Sequence, residues 1–166
     1  SLSEFFRTSL NQGKDIISIK EELQHVRSYL EIQQVRYQDI LQYDIQVEEE
    51  LYKYLIPKIT IQPLVENALY HGIKNKRGVG KIIISGRQEE DHFSILIEDN
   101  GIGISEERLS QVRAGVKNKV STGKDIYGLY TVNERIRLKF GEEYGLRIDS
   151  VSQEGTAVDV WLPLES

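Results

Sequence analysis

Four short stretches of this 166-residue chain set polar, acidic and glycine residues at spacings that could do chemistry. The most informative is ILIEDNGIG at residues 95–103, where an apolar run ends in acids, an amide and two glycines. Alternation along a strand puts Phe93, Ile95, Ile97 and Asp99 on one face. If the three apolar residues face the core, so does the Asp99 carboxylate, and a buried ionised carboxylate is costly unless hydrogen-bond donors meet it. An adenine amino group is one suitable donor. Gly101 and Gly103 let the backbone turn sharply and approach a flat ligand closely. The second stretch, QPLVENALYHG at residues 62–72, places Asn67, His71 and Lys74 on one polar stripe of a helix. Leu64, Val65, Ala68 and Leu69 form its apolar stripe. The third, IYGL at residues 126–129, opens a helical pattern. In the fourth, Gly155-Thr156 turns into a strand on which Thr156, Val158 and Val160 share a face, so the Thr156 hydroxyl points inward beside Asp99.

The elements that must position these residues follow from pattern. Ser3 to Asn11 reads as a short helix closed by Gly13. Ser18 and Glu21 match a capping box, and a helix follows to about Tyr37 with Ile19, Leu23, Val26, Leu30 and Tyr37 at three-and-four spacing, interrupted by Gln33. Leu41 to Val47 alternates as a strand. Pro57 to Ile73 reads as a helix that Pro63 kinks or truly starts. Lys81 to Arg87 and His92 to Asp99 form a hairpin. Ser105 N-caps a short helix to Val112, and Val116 to Ile126 reads as a loop. Tyr127 to Phe140 is a helix ending at Gly141, and Leu146 to Ser152 with Thr156 to Leu162 makes a last hairpin. This order predicts an α+β domain, a mixed sheet covered on one face by helices.

Composition narrows the function classes. The chain has no cysteine, which excludes disulfide scaffolds, cysteine catalysis and thiolate metal sites. A net charge of −5 without a basic stripe argues against a nucleic-acid partner. No apolar run approaches the roughly 20 residues of a membrane span. The chain begins at Ser1 inside a helix-like pattern, so it is expected to be part of a longer protein, with any membrane segment or sensor outside this sequence.

Together the four stretches resemble, in order, the boxes of the GHKL ATPases, the group of gyrase, MutL, one class of heat-shock chaperone and the sensor histidine kinases. QPLVENALYHG is similar to the N-box of the YesM/LytS-like branch of histidine kinases. SIKEELQHVRSYLEIQQVRYQD and YGLYTVNERIRLKFGEEYGLRI also occur in the order and spacing of that branch. The resemblance implies a Bergerat-type two-layer α/β sandwich, with residues 1–37 a remnant of the helical dimerisation region and 38–166 the ATP-binding catalytic domain. It assigns adenine recognition to Asp99 and Thr156, with Gly101 and Gly103 shaping the pocket. Asn67 becomes the Mg²⁺ ligand, a role one amide oxygen fills because Mg²⁺ keeps several waters and takes phosphate oxygens. His71 is placed near the phosphates and Glu66 beside a water or the metal shell, as the catalytic pair. Backbone amides of Gly128 and Leu129 hold phosphate at a helix start. Three positions depart from the wider pattern. Pro63 and Tyr70 stand where many histidine kinases carry Asn and Lys, the first being usual in this branch, and Ile126 replaces the first glycine of the G-x-G-L box. Lys74 or Lys76 is then the candidate phosphate cation.

By the same resemblance the parent is a homodimeric, membrane-anchored kinase with this domain in the cytoplasm. It phosphorylates its own histidine from ATP and passes the group to a response regulator receiver domain. None of His25, His71 and His92 lies in an acceptor-like segment, so the phosphoacceptor helix is expected outside this sequence. Three alternatives remain: a nucleotide-binding regulator without turnover, motivated by Tyr70 and Ile126; another GHKL ATPase, which needs a glutamate base where Pro63 stands; and an interaction module using its helices without nucleotide.

Overall fold

The computed structural model describes residues 15–118 and 123–166, with Lys124 and Asp125 described by their backbone alone. The helix expected at 3–11, the turn at Gly13 and the middle of the 116–126 loop lie outside these residues. Five strands form a mixed sheet: β2 (Leu41–Gln46), β4 (Gly80–Gln88), β5 (His92–Asp99), β6 (Gly145–Val151) and β7 (Gly155–Pro163). Their spatial order is β2-β4-β5-β7-β6. Only the β2–β4 pair is parallel. A parallel pair needs a crossover, and this one carries the helix that holds Asn67. A second, two-stranded sheet pairs β1 (Ile16–Ser18) with β3 (Leu55–Pro57); strands of three residues are too short to leave a periodic signal.

The sheet is two-faced. Ile82, Ile84, Phe93, Ile95, Ile97, Val158 and Val160 are buried on the face that meets the helices. The other carries Arg87, Glu98, Arg147 and Asp159, with the Arg147 guanidinium 4.0 Å from the Trp161 ring centroid. There the His92 ring stacks on Trp161 at 4.1 Å, with Nδ1 2.8 Å from Asp91. The stack buries His92 to 9% exposure, although it opens the strand.

The helices are α1 (Ile19–Arg36), α2 (Ile61–Asn67), α3 (Glu106–Lys117) and α4 (Lys124–Phe140). Ser18 caps α1 as expected, its Oγ accepting from the Glu21 N–H at 3.1 Å. Leu23, Val26 and Leu30 bury α1 in the same core as the sheet. Helix α2 starts at Ile61, so Pro63 sits in the first turn, where its missing N–H costs no hydrogen bond. After Asn67 the helix widens into a π turn over Ala68–Ile73, closed by Lys74 N–H to Leu69 C=O at 2.9 Å. Ser105 caps α3, and the helix runs on to Lys117, with Val112 and Val116 both buried. Helix α4 starts three residues before the expected Tyr127, with Ile126 buried in its first turn. No described helix is long and apolar enough to cross a membrane.

Because the Ser18 hydroxyl satisfies an otherwise orphaned N–H of α1, Ser18→Ala is expected to cost about 1 kcal/mol in urea unfolding at unchanged m-value.

Candidate functional site

Asp99 is the last residue of β5 and pairs across the sheet with Thr156 of β7. Its Oδ1 accepts from the Gly101 N–H at 2.8 Å. Burial pushes its pKa up to about 6, against the opposing pull of the Gly101 and Thr156 backbone N–H groups and the charge of Lys76. The carboxylate is thus short of donors, as the face argument from sequence anticipated. Thr156 stands beside it, but its hydroxyl lies 2.9 Å from Ser150 Oγ. Ser150 also donates to Gly155 C=O at 2.8 Å and accepts from Ile104 N–H at 3.0 Å. It pins the β6–β7 hairpin to the chain leaving the glycine turn. A lone serine in an ordinary strand gave no signal for this in the sequence.

Glycines pack around the acid. A Cβ on Gly72 would fall 2.7 Å from Asp99 Oδ1, and one on Gly101 2.3 Å from the Gly72 carbonyl carbon. The Ile102 N–H donates to Gly72 C=O at 3.3 Å, joining the π turn to the glycine turn. Gly103 has φ +64 and faces the Val151 carbonyl so closely that a Cβ would lie 2.1 Å from its oxygen. Asn100 completes the turn, its Oδ1 accepting from Lys81 N–H at 2.6 Å.

Asn67, His71, Gly72, Asp99, Gly103 and Thr156 line one cleft, together with Leu129 and four other apolar residues. Asn67 makes no side-chain hydrogen bond to another described residue, so its amide oxygen is available to a hard cation such as Mg²⁺. The exposed His71 meets it there. Glu66 does not line the cleft; its Oε1 accepts from Gln62 Nε2 at 3.1 Å. The two candidate cations separate. Lys74 Nζ lies over the Tyr70 and Tyr37 rings at 5.4 and 5.9 Å, turned away by the π winding. Lys76 Nζ stays near the acid, donating to Asn100 C=O at 2.7 Å.

Gly128 and Leu129 sit in the second turn of α4, since the helix starts at Lys124. Their N–H groups therefore fall among the helix's own hydrogen bonds, and the amides left open at its start are those of the preceding turn. A Cβ at Gly128 would meet no described atom within 4 Å, so tight helix packing does not explain that glycine. The cleft's volume is about 40 Å³, far below the roughly 300 Å³ at which small-molecule pockets begin. A larger groove of about 1030 Å³ lies by Arg113, Asn133, Arg137 and Asp149, and none of the residues singled out from sequence lines it.

The model for histidine kinase-, DNA gyrase B-, and HSP90-like ATPases matches residues 57–166, and a histidine kinase model matches residues 1–41. The chain is 36% identical over 163 residues to the sensor histidine kinase YesM of Bacillus subtilis, covering 98% of this chain and 26% of that protein. It is 36% identical over 164 residues to the sensor protein LytS of Bacillus cereus, covering 98% and 27%. The chain thus spans about a quarter of the length of these relatives. The catalytic domain of histidine kinase ThkA shares the fold, with a TM-score of 0.66 at 15% identity over 90% of this chain and 95% of that one. The acid, the Asn67 helix and the glycine turn all lie inside the 57–166 match, and the chain belongs to the histidine kinase-, DNA gyrase B- and HSP90-like ATPase family.

Proposed function

We propose that residues 38–166 are the ATP-binding catalytic domain of a bacterial sensor histidine kinase, and residues 1–37 the end of its helical dimerisation region. One observation carries this reading: Asp99, a cleft carboxylate with one oxygen met by the Gly101 N–H and too few donors for its burial. An adenine amino group supplies the missing donor. Thr156 and Ser150 order the polar wall beside it, and Gly101 and Gly103 let the turn after the acid close against the Gly72 and Val151 backbones. The free amide of Asn67 suits Mg²⁺ shared with the phosphates, and His71 lies on the same side. Glu66 is a neighbour of that shell rather than a wall of the cleft. Gly128 and Leu129 flank the phosphates, and Lys76 is the cation within reach. A nucleotide needs more room than the cleft now has, so binding opens it at Ile104, Val112 and Leu129, the apolar walls that do not belong to the sheet.

In the intact protein the γ-phosphoryl group passes to a histidine nitrogen outside this chain. The bond from phosphorus to the ADP oxygen breaks as the phosphorus–nitrogen bond forms. The group then moves to an aspartate of a response regulator receiver domain. The protein's part in such a transfer is positioning and electrostatics. The parent is a homodimer anchored in the membrane, with this domain on the cytoplasmic side.

Titration calorimetry with a non-hydrolysable ATP analogue tests the assignment. The wild type binds more tightly with Mg²⁺ than without, and Asp99→Asn weakens binding by about 10- to 100-fold, the range for a lost hydrogen bond to a charged group. Unchanged affinity in a folded Asp99→Asn refutes the adenine role. The ionised acid is the better acceptor, so wild-type affinity falls as pH drops through about 6, and binding at pH 6 releases protons, visible as buffer-dependent heats. The same group gives the opposite sign for stability. A carboxyl raised in the folded state stabilises fully below its ordinary pKa of 3.8 and loses that contribution as pH rises through about 6. Asp99→Asn is therefore more stable than wild type at pH 8, by roughly 1–3 kcal/mol at about 1.4 kcal/mol per pKa unit, and the gain disappears by pH 4.

A further inference from the structure

Glu22 is 1% exposed, yet it lies on α1 in a stretch whose spacing marks it as neither core nor site. Its carboxylate is fully engaged by a distant segment. Oε1 accepts from Ile59 N–H at 3.1 Å, and Oε2 from Thr60 and Ile61 N–H at 2.7 and 2.9 Å. These are open donors at the start of α2, whose own N-cap residue, Thr60, makes no capping bond to the helix. The Thr60 hydroxyl instead donates to Pro57 C=O at 2.6 Å. A buried carboxylate from α1 thus serves as the cap of the helix that carries Asn67. Negative charge is also favoured there by the helix dipole.

The turn it holds is strained and clasped again from the other side. Ile59 has φ +59, a conformation that β-branched residues avoid and keep only when the surroundings over-determine it. Arg135 of α4 donates to Ile59 C=O at 3.1 Å and to Lys58 C=O. Lys58 N–H in turn donates to Asp15 C=O at 2.8 Å, ahead of β1. Two turns beyond Glu22, Tyr29 lies beside Glu66 and Tyr70, and burial with those neighbours raises its hydroxyl pKa. Helix α1 therefore meets the Asn67 helix near both of its ends.

We propose that Glu22 is a positioning residue for the metal side of the nucleotide site. Its carboxylate fixes the first turn of α2, and with it the place of Asn67 in the cleft, and Arg135 braces the same turn. From Ile61 to Asn67 is about 9 Å of helix, a rigid lever less than two turns long. Displacement of α1 then moves Asn67 while Asp99, held by β5 and β7, stays in place. This rests on the reading of Asn67 as the Mg²⁺ side of the site.

The variants are Glu22→Gln and Arg135→Gln. The glutamine keeps the volume of Glu22 but turns a donor toward at least one of the three N–H groups. Arg135 is exposed, so its variant leaves the core intact. Affinities for a non-hydrolysable ATP analogue are measured with and without Mg²⁺. Glu22→Gln is expected to lose about tenfold of the Mg²⁺-bound affinity and less than twofold of the Mg²⁺-free affinity, and Arg135→Gln two- to threefold of the former alone. Without nucleotide, amide hydrogen exchange over residues 61–73 quickens about tenfold in Glu22→Gln while that of β5 is unchanged. A merely structural role moves both affinities together. The proposal is overturned if folded Glu22→Gln keeps the full Mg²⁺ gain, or, should that variant not fold, if Arg135→Gln keeps it. Failure of the wild type to bind nucleotide instead overturns the kinase-domain reading.

Discussion

The site end of this domain is built around one residue that three glycines must approach. Asp99 ends β5 with its carboxylate against the Cα of Gly72 and its carbonyl against Gly155, where a Cβ would lie 2.0 Å from the oxygen. Gly155 also needs φ +137 to turn β6 into β7 there. Gly101 then supplies the N–H that satisfies one carboxylate oxygen. The helix of Asn67, the glycine turn and the final hairpin are therefore not three separate motifs. They are the backbones that close packing around one acid admits, and moving any of them would either clash with the acid or strand it.

Among the described residues Glu22 is a buried carboxylate and Asp99 a largely buried one, and their partners separate their tasks. Glu22 has three backbone donors on two oxygens and joins α1 to the start of α2, remote from it in sequence. Asp99 is less well met, so its charge costs stability above pH 6. A fully satisfied buried acid fixes structure. A half-satisfied one facing a cleft retains a vacancy for a ligand's donor, and the stability lost is the usual mark of a site kept for function. The Gly101 and Thr156 backbone N–H groups bring part of the compensation without completing it.

Much of this was legible because it depends on local spacing. Alternation placed Phe93, Ile95, Ile97 and Asp99 on one inner face, and the Ser18–Glu21 capping pattern marked the start of α1, because both are decided within a few residues. Asn67, His71, Asp99 and Thr156 line one cleft. What was hidden depends on partners far along the chain. Glu22 reads as one more acid in a charged first turn until Ile59–Ile61 fold onto it. His92 reads as a strand-opening surface residue until Trp161 covers it from β7. Lys74 falls on the Asn67–His71 stripe only at 3.6 residues per turn; the π turn after Asn67 rotates it onto Tyr70. Helix ends at 117 and 124 were misplaced because Val116 and Ile126 are buried by tertiary packing within polar surroundings.

These contacts give the two halves of the cleft different mechanical characters. Asp99 and Thr156 stand on neighbouring strands whose ladder runs from His92–Pro163 to Asp99–Thr156, so that wall moves only with the sheet. Asn67 and His71 stand on a short helix and its π turn, fixed at one end by Glu22 and Arg135 and at the other by Gly72 C=O to Ile102 N–H. Leu129 stands on a helix in contact with that same Pro57–Thr60 turn through Arg135. A narrow cleft with one rigid wall and two walls held at a shared polar joint opens by moving the helices. On the proposed reading, the Asp99 wall is the constant anchor for adenine, while the arrangement of the phosphate side depends on where α1 and α4 hold the turn between them.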